Sequence, residues 1–235
     1  MTGAANDGSS VEPVPPAVLV MAKAPVPGQV KTRLGAVVGD DVAAELAAAA
    51  LLDTLDVCES VFAGRSRRHL ALAGDLTGAA GADQIAPRLD GWTVHPQRGD
   101  GFAQRLVRAH EDAARASCAP VVQIGMDTPH LSAHDLTVVV ELLGVGNDAV
   151  LGPATDGGWW VLAVTDARFA APLAGVTMST GRTCRDTESA LRGAGARVVR
   201  APVRSDLDTV ADAAVVAEAA PGTRFARRWR ELRER

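Results

Sequence analysis

Two cations in this chain differ from the rest. Lys23 and Lys31 are its only lysines, against twenty-two arginines, and both fall in "MAKAPVPGQVKTRLG" (residues 21–35). Lysine is a compact point charge and arginine a planar fork. A chain that otherwise chooses arginine and keeps two lysines in one loop marks positions that need an ammonium. Lys31 and Arg33 aim positive charge at whatever lies above the loop. Gly28 lets backbone approach it closely, and the prolines, Pro27 among them, stiffen the turn. A polyphosphate suits such a loop. The stretch is neither GxxxxGK[ST] nor GxGxxG, and a plain basic surface turn is the competing reading.

Acids recur in four other places. Asp127 in "IGMDTPHL" ends an apolar run, where a carboxylate needs a partner or a metal. Mg²⁺ takes one or two carboxylates together with phosphate oxygens and water, so Asp127 is a candidate ligand; a cap of the turn through Thr128 and Pro129 is the alternative. In "SDLDTVADA", Asp206 and Asp208 share a face if the chain is extended, and either supplies a second carboxylate. Asp208 also fits as the N-cap of the helix that follows. "GPATDGGWW" sets Asp156, Gly157 and Gly158 before Trp159 and Trp160. The glycines permit a hairpin or a ligand lying on backbone; of two successive strand tryptophans one faces the core, and the other can stack on a ring. "HPQRGDGFAQR" adds Gln97, Arg98, Asp100 and Arg105 at the start of a helix. The histidines are scattered, and only His130 is placed to line such a site.

These clusters need a scaffold that gathers them. "AVLVMAKA" reads as a buried parallel strand. A long Ala/Leu helix follows from "GDDVAAEL", with Asp40 or Asp41 at its cap. "RHLALAG", "WTVHPQ" and "APVVQIGMD" read as strands. "GFAQRLVRAHEDAARAS" reads as a helix with Phe102, Leu106, Ala109 and Ala113 on one face. A helix capped by Ser132, the strands "DAVLGPA" and "GGWWVLAVT" about the "TDGG" turn, a helix, the strand "RVVRAP" and a last helix complete the order. Strands alternating with helices give an α/β fold with a mainly parallel, mixed sheet. In open α/β sheets ligands sit outside the carboxyl ends of the strands, which is where every cluster above falls.

With 47% apolar residues the chain can build a sizeable core, and with 3% aromatics that core is aliphatic. A net charge of −4 argues against general nucleic-acid binding. The expected organisation is a tail at 1–16, one domain at 17–220 and a basic helix or tail at 221–235, read as a solvated helix. Three widely spaced cysteines indicate free thiols in a reducing compartment. Arg182 and Arg185 flank Cys184 and favour a thiolate there, though no histidine adjoins it. No membrane span or signal peptide is evident, so the expected location is cytoplasmic.

The segments "MAKAPVPGQVKTRL", "GMDTPHL", "LGPATDGGWWVL" and "DLDTVAD" occur in the order seen in a GT-A-fold, glycosyltransferase-like family, some members of which are associated with arsenosugar biosynthesis. The chain resembles that family from about Val18 to Ala217. It is also similar to nucleotidylyltransferases of the phospholactate guanylyltransferase kind. The resemblance implies a single Rossmann-like, three-layer α/β/α domain and a transferase dependent on Mg²⁺ or Mn²⁺. Lys23, Pro27, Gly28, Lys31 and Arg33 would bind the nucleotide; Asp127 with Asp208 or Asp206 would hold the metal. Lys31 and Asp127 would be catalytic, and Gln97, Arg105, Thr128, Asp156, Gly157, Gly158 and Trp159 would face acceptor or sugar. The implied partners are a nucleotide sugar, or else a nucleoside triphosphate, and a small-molecule acceptor. The favoured activity is glycosyl transfer. Nucleotidylyl transfer is the alternative, and a non-catalytic nucleotide sensor the alternative of another class.

Overall fold

The computed structural model describes residues 14–62, 64 and 67–234. The tail expected at 1–16 lies outside the described residues except for positions 14–16. Among the described residues seven strands form one sheet: β1 (Ala17–Lys23), β2 (Arg68–Ala73), β3 (Thr93–Pro96), β4 (Val121–Gly125), β5 (Ala149–Pro153), β6 (Trp159–Val164) and β7 (Val198–Arg200). Their spatial order is β3-β2-β1-β4-β6-β5-β7. All neighbours are parallel except β6, which runs antiparallel to both β4 and β5. The "TDGG" hairpin thus reverses β6 against its neighbours β4 and β5.

The helices are α1 (Thr32–Val38), α2 (Asp40–Val61), α3 (Ala82–Arg88), α4 (Gly101–Ser117), α5 (Ala133–Gly144), α6 (Thr183–Gly193), α7 (Val210–Ala219) and α8 (Arg224–Arg233). They cover the sheet on both faces. Strand alternation sorts the core: Val18, Val20 and Ala22 of β1 face α2 and α5, while Leu19 and Met21 face α4 and α6. A third cluster joins Leu34 of α1, Leu46 of α2, Val216 of α7 and Phe225 of α8. The result is the expected three-layer α/β/α architecture. No helix is long and apolar enough to cross a membrane, among the described residues.

Several local expectations are corrected. The segment after β1 contains a helix, α1, that the proline- and glycine-bearing loop concealed. α3 was also hidden, being short and carrying Pro87. Gly39 occupies the N-cap of α2, so Asp40 and Asp41 sit in the first turn and offer charge, not a side-chain cap. Thr209, not Asp208, caps α7, in a reciprocal capping box with Asp212. Phe102 is 50% exposed and does not join Leu106, Ala109 and Ala113 in the core. α8 is basic but not a solvated appendage: Phe225, Ala226 and Trp229 are buried, and Arg224 pairs with Asp53 and Asp56 of α2. Cys58, Cys118 and Cys184 are free. Burial pushes the Cys184 thiol up, against the thiolate that Arg182 and Arg185 suggested.

Candidate functional site

A cavity of about 710 Å³ opens at the carboxyl ends of the strands. That volume lies within the usual range for small-molecule sites, about 300–1,000 Å³. Four loops build its centre.

The first leaves β1 at Lys23. Prolines and Gly28 (φ 72°) turn it back in successive tight turns. Val30 is buried as an anchor, and the next residue, Lys31, points inward. Lys31 is the N-cap of α1 and sits in the left-handed region (φ 48°, ψ 42°), a costly conformation for a residue with a Cβ. Its side chain is only 5% exposed, with Nζ 2.6 Å from Asp127 Oδ1 and 3.3 Å from Asp208 Oδ1. Nζ also donates to the carbonyl of Leu207. Burial works against the ammonium, but the two carboxylates outweigh it and raise its pKa.

Asp127 follows β4 directly, where the apolar strand runs out, and Thr128 behind it is 3% exposed with no partner for its hydroxyl. The loop after β7 carries Asp206 and Asp208 on either side of Leu207, which is fully buried. Both acids therefore face the cavity while Leu207 pins the loop. Arg204, paired with Asp135, fixes the loop's entrance. Arg33 reaches Asp208 at 3.4 Å. The Asp206 carboxyl is pushed up to about 6, by burial first and then by the charges of Asp156 and Asp208, with Lys31 pulling the other way.

The β5–β6 hairpin supplies Asp156, whose carboxylate accepts from the Gly158 amide at 2.7 Å. Of the two tryptophans, Trp160 is buried and donates to the carbonyl of Pro202 at 2.9 Å. Trp159 is partly exposed at the cavity and donates to Thr187 at 3.2 Å. On the far side, Gln97 Nε2 donates to the carbonyls of Ala22 and Ala71, both at 2.9 Å. It thereby bridges the ends of β1 and β2.

The cavity wall includes Lys23, Lys31, Arg33, Gln97, Arg105, Asp127, Thr128, Asp156, Gly158, Trp159, Asp206 and Asp208. Pro27, Gly28 and Gly157 are not on it: the first two shape the turn that delivers Lys31, and Gly157 holds two loops together. His130 does not line it either. Sequence reasoning missed Gln123, hidden in an apolar strand yet 2% exposed at the cavity floor. It also missed Phe102, taken for core; the loop from Met178 to Gly181, whose "MST" stretch the family resemblance ties to acceptor specificity, lines the wall as well. No signal in the sequence separates Gln123 from an ordinary buried strand residue.

The wall carries four acids, Asp127, Asp156, Asp206 and Asp208, and four cations, Lys23, Lys31, Arg33 and Arg105. Among the described residues no three carboxylate, imidazole or thiol side chains converge closely enough to hold a metal by themselves. Asp127 and Asp208, both about half exposed, are hard oxygen donors of the kind a small divalent ion takes together with substrate oxygens, and Lys31 is the cation now seated on them.

The fold recurs in solved structures. A presumed nucleotide-diphospho-sugar transferase from Desulfovibrio desulfuricans G20 superposes with a TM-score of 0.77 at 28% identity, covering 93% of this chain and 94% of that one. A cytidylyltransferase from Leptospira borgpetersenii serovar Hardjo-bovis (strain JB197) gives 0.54 at 13% identity, covering 87% of this chain and 86% of that one. A 4-diphosphocytidyl-2C-methyl-D-erythritol synthase gives 0.54 at 13% identity, covering 87% and 98%. No curated protein matches the sequence significantly. Residues 54–180, more than half of the chain, match the model of a family described as "Uncharacterized protein conserved in bacteria" (DUF2064), and the chain belongs to that family.

Proposed function

We propose that this protein is a divalent-metal-dependent transferase acting on a nucleotide-activated donor, and within that class a glycosyltransferase that uses a nucleotide sugar. One observation carries the reading. Lys31, Asp127 and Asp208 meet at the strand ends, in the middle of a cavity whose two sides differ in chemistry. Lys23, Gln97 and Arg105 stand on the β1–β3 side and suit an anionic nucleotide. Asp156, Gly158 and Trp159 stand on the β5–β6 side and suit a polyhydroxylated group, with hydrogen-bond acceptors beside an aromatic ring.

In glycosyl transfer the bond between sugar C1 and the diphosphate breaks, and negative charge grows on the leaving diphosphate. Asp127 and Asp208 would hold the divalent cation, which supplies charge stabilisation at those oxygens. Lys31 from the sheltered side and Arg33 from the open side bring positive charge near the same oxygens. Asp156 orients an acceptor hydroxyl on the opposite side. No covalent nucleophile is needed. The likeness to the D. desulfuricans protein over nearly the whole chain supports a sugar-diphosphate donor.

A specific observation keeps nucleotidylyl transfer as the second reading. Asp127 is a single strand-end acid, not one half of a DxD pair, and a lone acid with the KTR loop suits attack by an acceptor phosphate on the α-phosphorus of a nucleoside triphosphate. The deciding experiment incubates the protein with Mg²⁺ or Mn²⁺ and panels of nucleotide sugars, nucleoside triphosphates and candidate acceptors. Nucleoside diphosphate released from a nucleotide sugar establishes glycosyl transfer. Pyrophosphate released from a triphosphate overturns it in favour of the second reading. Nucleotide-raised thermal stability with no product from any acceptor points to a sensor.

A further inference from the structure

An ammonium has three N–H donors and no more. In this structure Lys31 Nζ has three oxygen partners: the Leu207 carbonyl, Asp127 Oδ1 and Asp208 Oδ1. Its side chain is 5% exposed, whereas those of Asp127 and Asp208 are 48% and 44% exposed. The lysine is therefore saturated and sheltered, while its partners face the cavity. As it stands, Lys31 Nζ is enclosed by three protein oxygens and is turned to them, not to a phosphate. To grip one, it must release at least one carboxylate, and two half-exposed carboxylates left side by side repel each other.

We propose that Lys31 is the resident counter-cation of the Asp127–Asp208 pair, and that a divalent cation and the Lys31 ammonium occupy that pair in mutually exclusive fashion. The metal takes the carboxylates, and the displaced ammonium turns to the substrate's phosphate. This rests on the reading of Asp127 and Asp208 as metal ligands. It goes beyond that reading in making metal and phosphate binding interdependent through one side chain.

Three features converge on it. The left-handed backbone of Lys31 is a strained conformation that its contacts must hold. The unpartnered Thr128 hydroxyl lies beside Asp127, buried at the cavity wall with a lone pair to offer. Arg33, 78% exposed and 3.4 Å from Asp208, is free to follow a phosphate without disturbing the buried contacts. A ligand that binds one of two exclusive arrangements shifts their balance by its differential affinity. Metal alone must displace Lys31 without compensation; metal with phosphate gives the ammonium a new partner.

The test uses Mn²⁺ as probe, followed by electron paramagnetic resonance on the whole protein without donor or acceptor. Lys31→Met is expected to bind Mn²⁺ about tenfold more tightly than wild type. Lys23→Met, which removes the same charge from the cavity wall but no contact to the carboxylates, is expected to change affinity less than about twofold, as screened charges do. Equal affinities for wild type and Lys31→Met overturn the proposal. Equal gains in the two variants overturn it too, because a diffuse charge effect then suffices.

A second measurement needs no variant. Lysine-selective isotope labelling gives one side-chain signal each for Lys23 and Lys31. Saturating Mg²⁺ is expected to move the Lys31 signal and leave Lys23 in place. A Lys31 signal unmoved by a bound cation overturns the proposal. Neither readout requires turnover, so failure to find product under the assay above leaves this result standing, and the reverse holds as well.

Discussion

Gly157 and Gly181 meet backbone to backbone: a Cβ on Gly157 would stand 2.3 Å from the Gly181 carbonyl oxygen. Gly157 has φ 90°, and its own carbonyl accepts from the Cys184 amide at 2.8 Å. The β5–β6 hairpin and the loop leading into α6 are locked at this point, and both line the cavity. Gly157→Ala meets two costs at once, an unfavourable φ and a collision with backbone that cannot swing aside. We expect a loss of at least about 1–3 kcal/mol of stability, measured by urea denaturation, with a larger fall in acceptor-dependent rate. A variant that keeps both stability and rate would show that the interlock is dispensable.

The C-terminal helix tests how much of the core lies outside the sheet. Trp229 is 6% exposed and belongs to the cluster formed by α1, α2, α7 and α8. Trp229→Ala removes a large buried ring that is not on the cavity wall. The expected cost is about 3–5 kcal/mol, seen as a lower denaturation midpoint. A cost below about 0.5 kcal/mol, the usual size for surface positions, would make α8 an appendage after all.

The strand-end position of Asp127 was legible because an apolar run stops at it, while Asp206 and Asp208 were legible only as a pair in the loop after the last strand, with a helix cap an equal reading of Asp208. The lysine count singled out Lys31 and suggested a phosphate grip; its pairing with two acids was not part of that reading. The ion pairs of Lys31 with Asp127 and Asp208 depend on contacts 96 and 177 residues apart in sequence, which no local pattern reports. α1 was illegible because its N-cap is a left-handed lysine with no Ser, Thr, Asp or Asn to announce it. Phe102 misled because helical spacing aligns it with Leu106 and Ala109, yet it lies in the first turn, where α4 reaches the cavity.

Lys31→Arg separates charge from shape. The ammonium is sheltered, with hydrogen bonds to the Leu207 carbonyl and Asp208 and an ion pair to Asp127. A planar guanidinium is larger and cannot reproduce that three-way contact. Because positive charge stays near Asp127 and Asp208, folding should change little. We expect kcat/KM for the donor to fall at least about tenfold, roughly 1.4 kcal/mol in transition-state terms, while the denaturation midpoint stays close to that of wild type. Unchanged kinetics would rule out a role that depends on the compact ammonium.

His110 gives a pH dependence of stability. It is fully buried on α4, facing Gln123 on β4, and neither ring nitrogen makes a formed hydrogen bond. Burial lowers its pKa from 6.5 to about 4; the nearby Gln123 amide favours the charged ring only weakly. In the unfolded chain the ring titrates at its ordinary value. Between these values the unfolded state binds more protons, so this contribution is complete above pH 6.5 and is lost as pH falls toward 4. The full span amounts to about 3 kcal/mol. Asp206 works in the opposite sense over part of the range, since its raised carboxyl binds protons in the folded state first. The wild-type curve is therefore a composite, and the informative quantity is the difference between wild type and His110→Leu. Leucine fills much of the same space and does not titrate, so the variant should gain stability relative to wild type as pH drops from 6.5 to 4.5. Urea denaturation at several pH values in that window reads the difference directly, and a difference that stays constant with pH would mean that His110 is not held neutral in the folded protein.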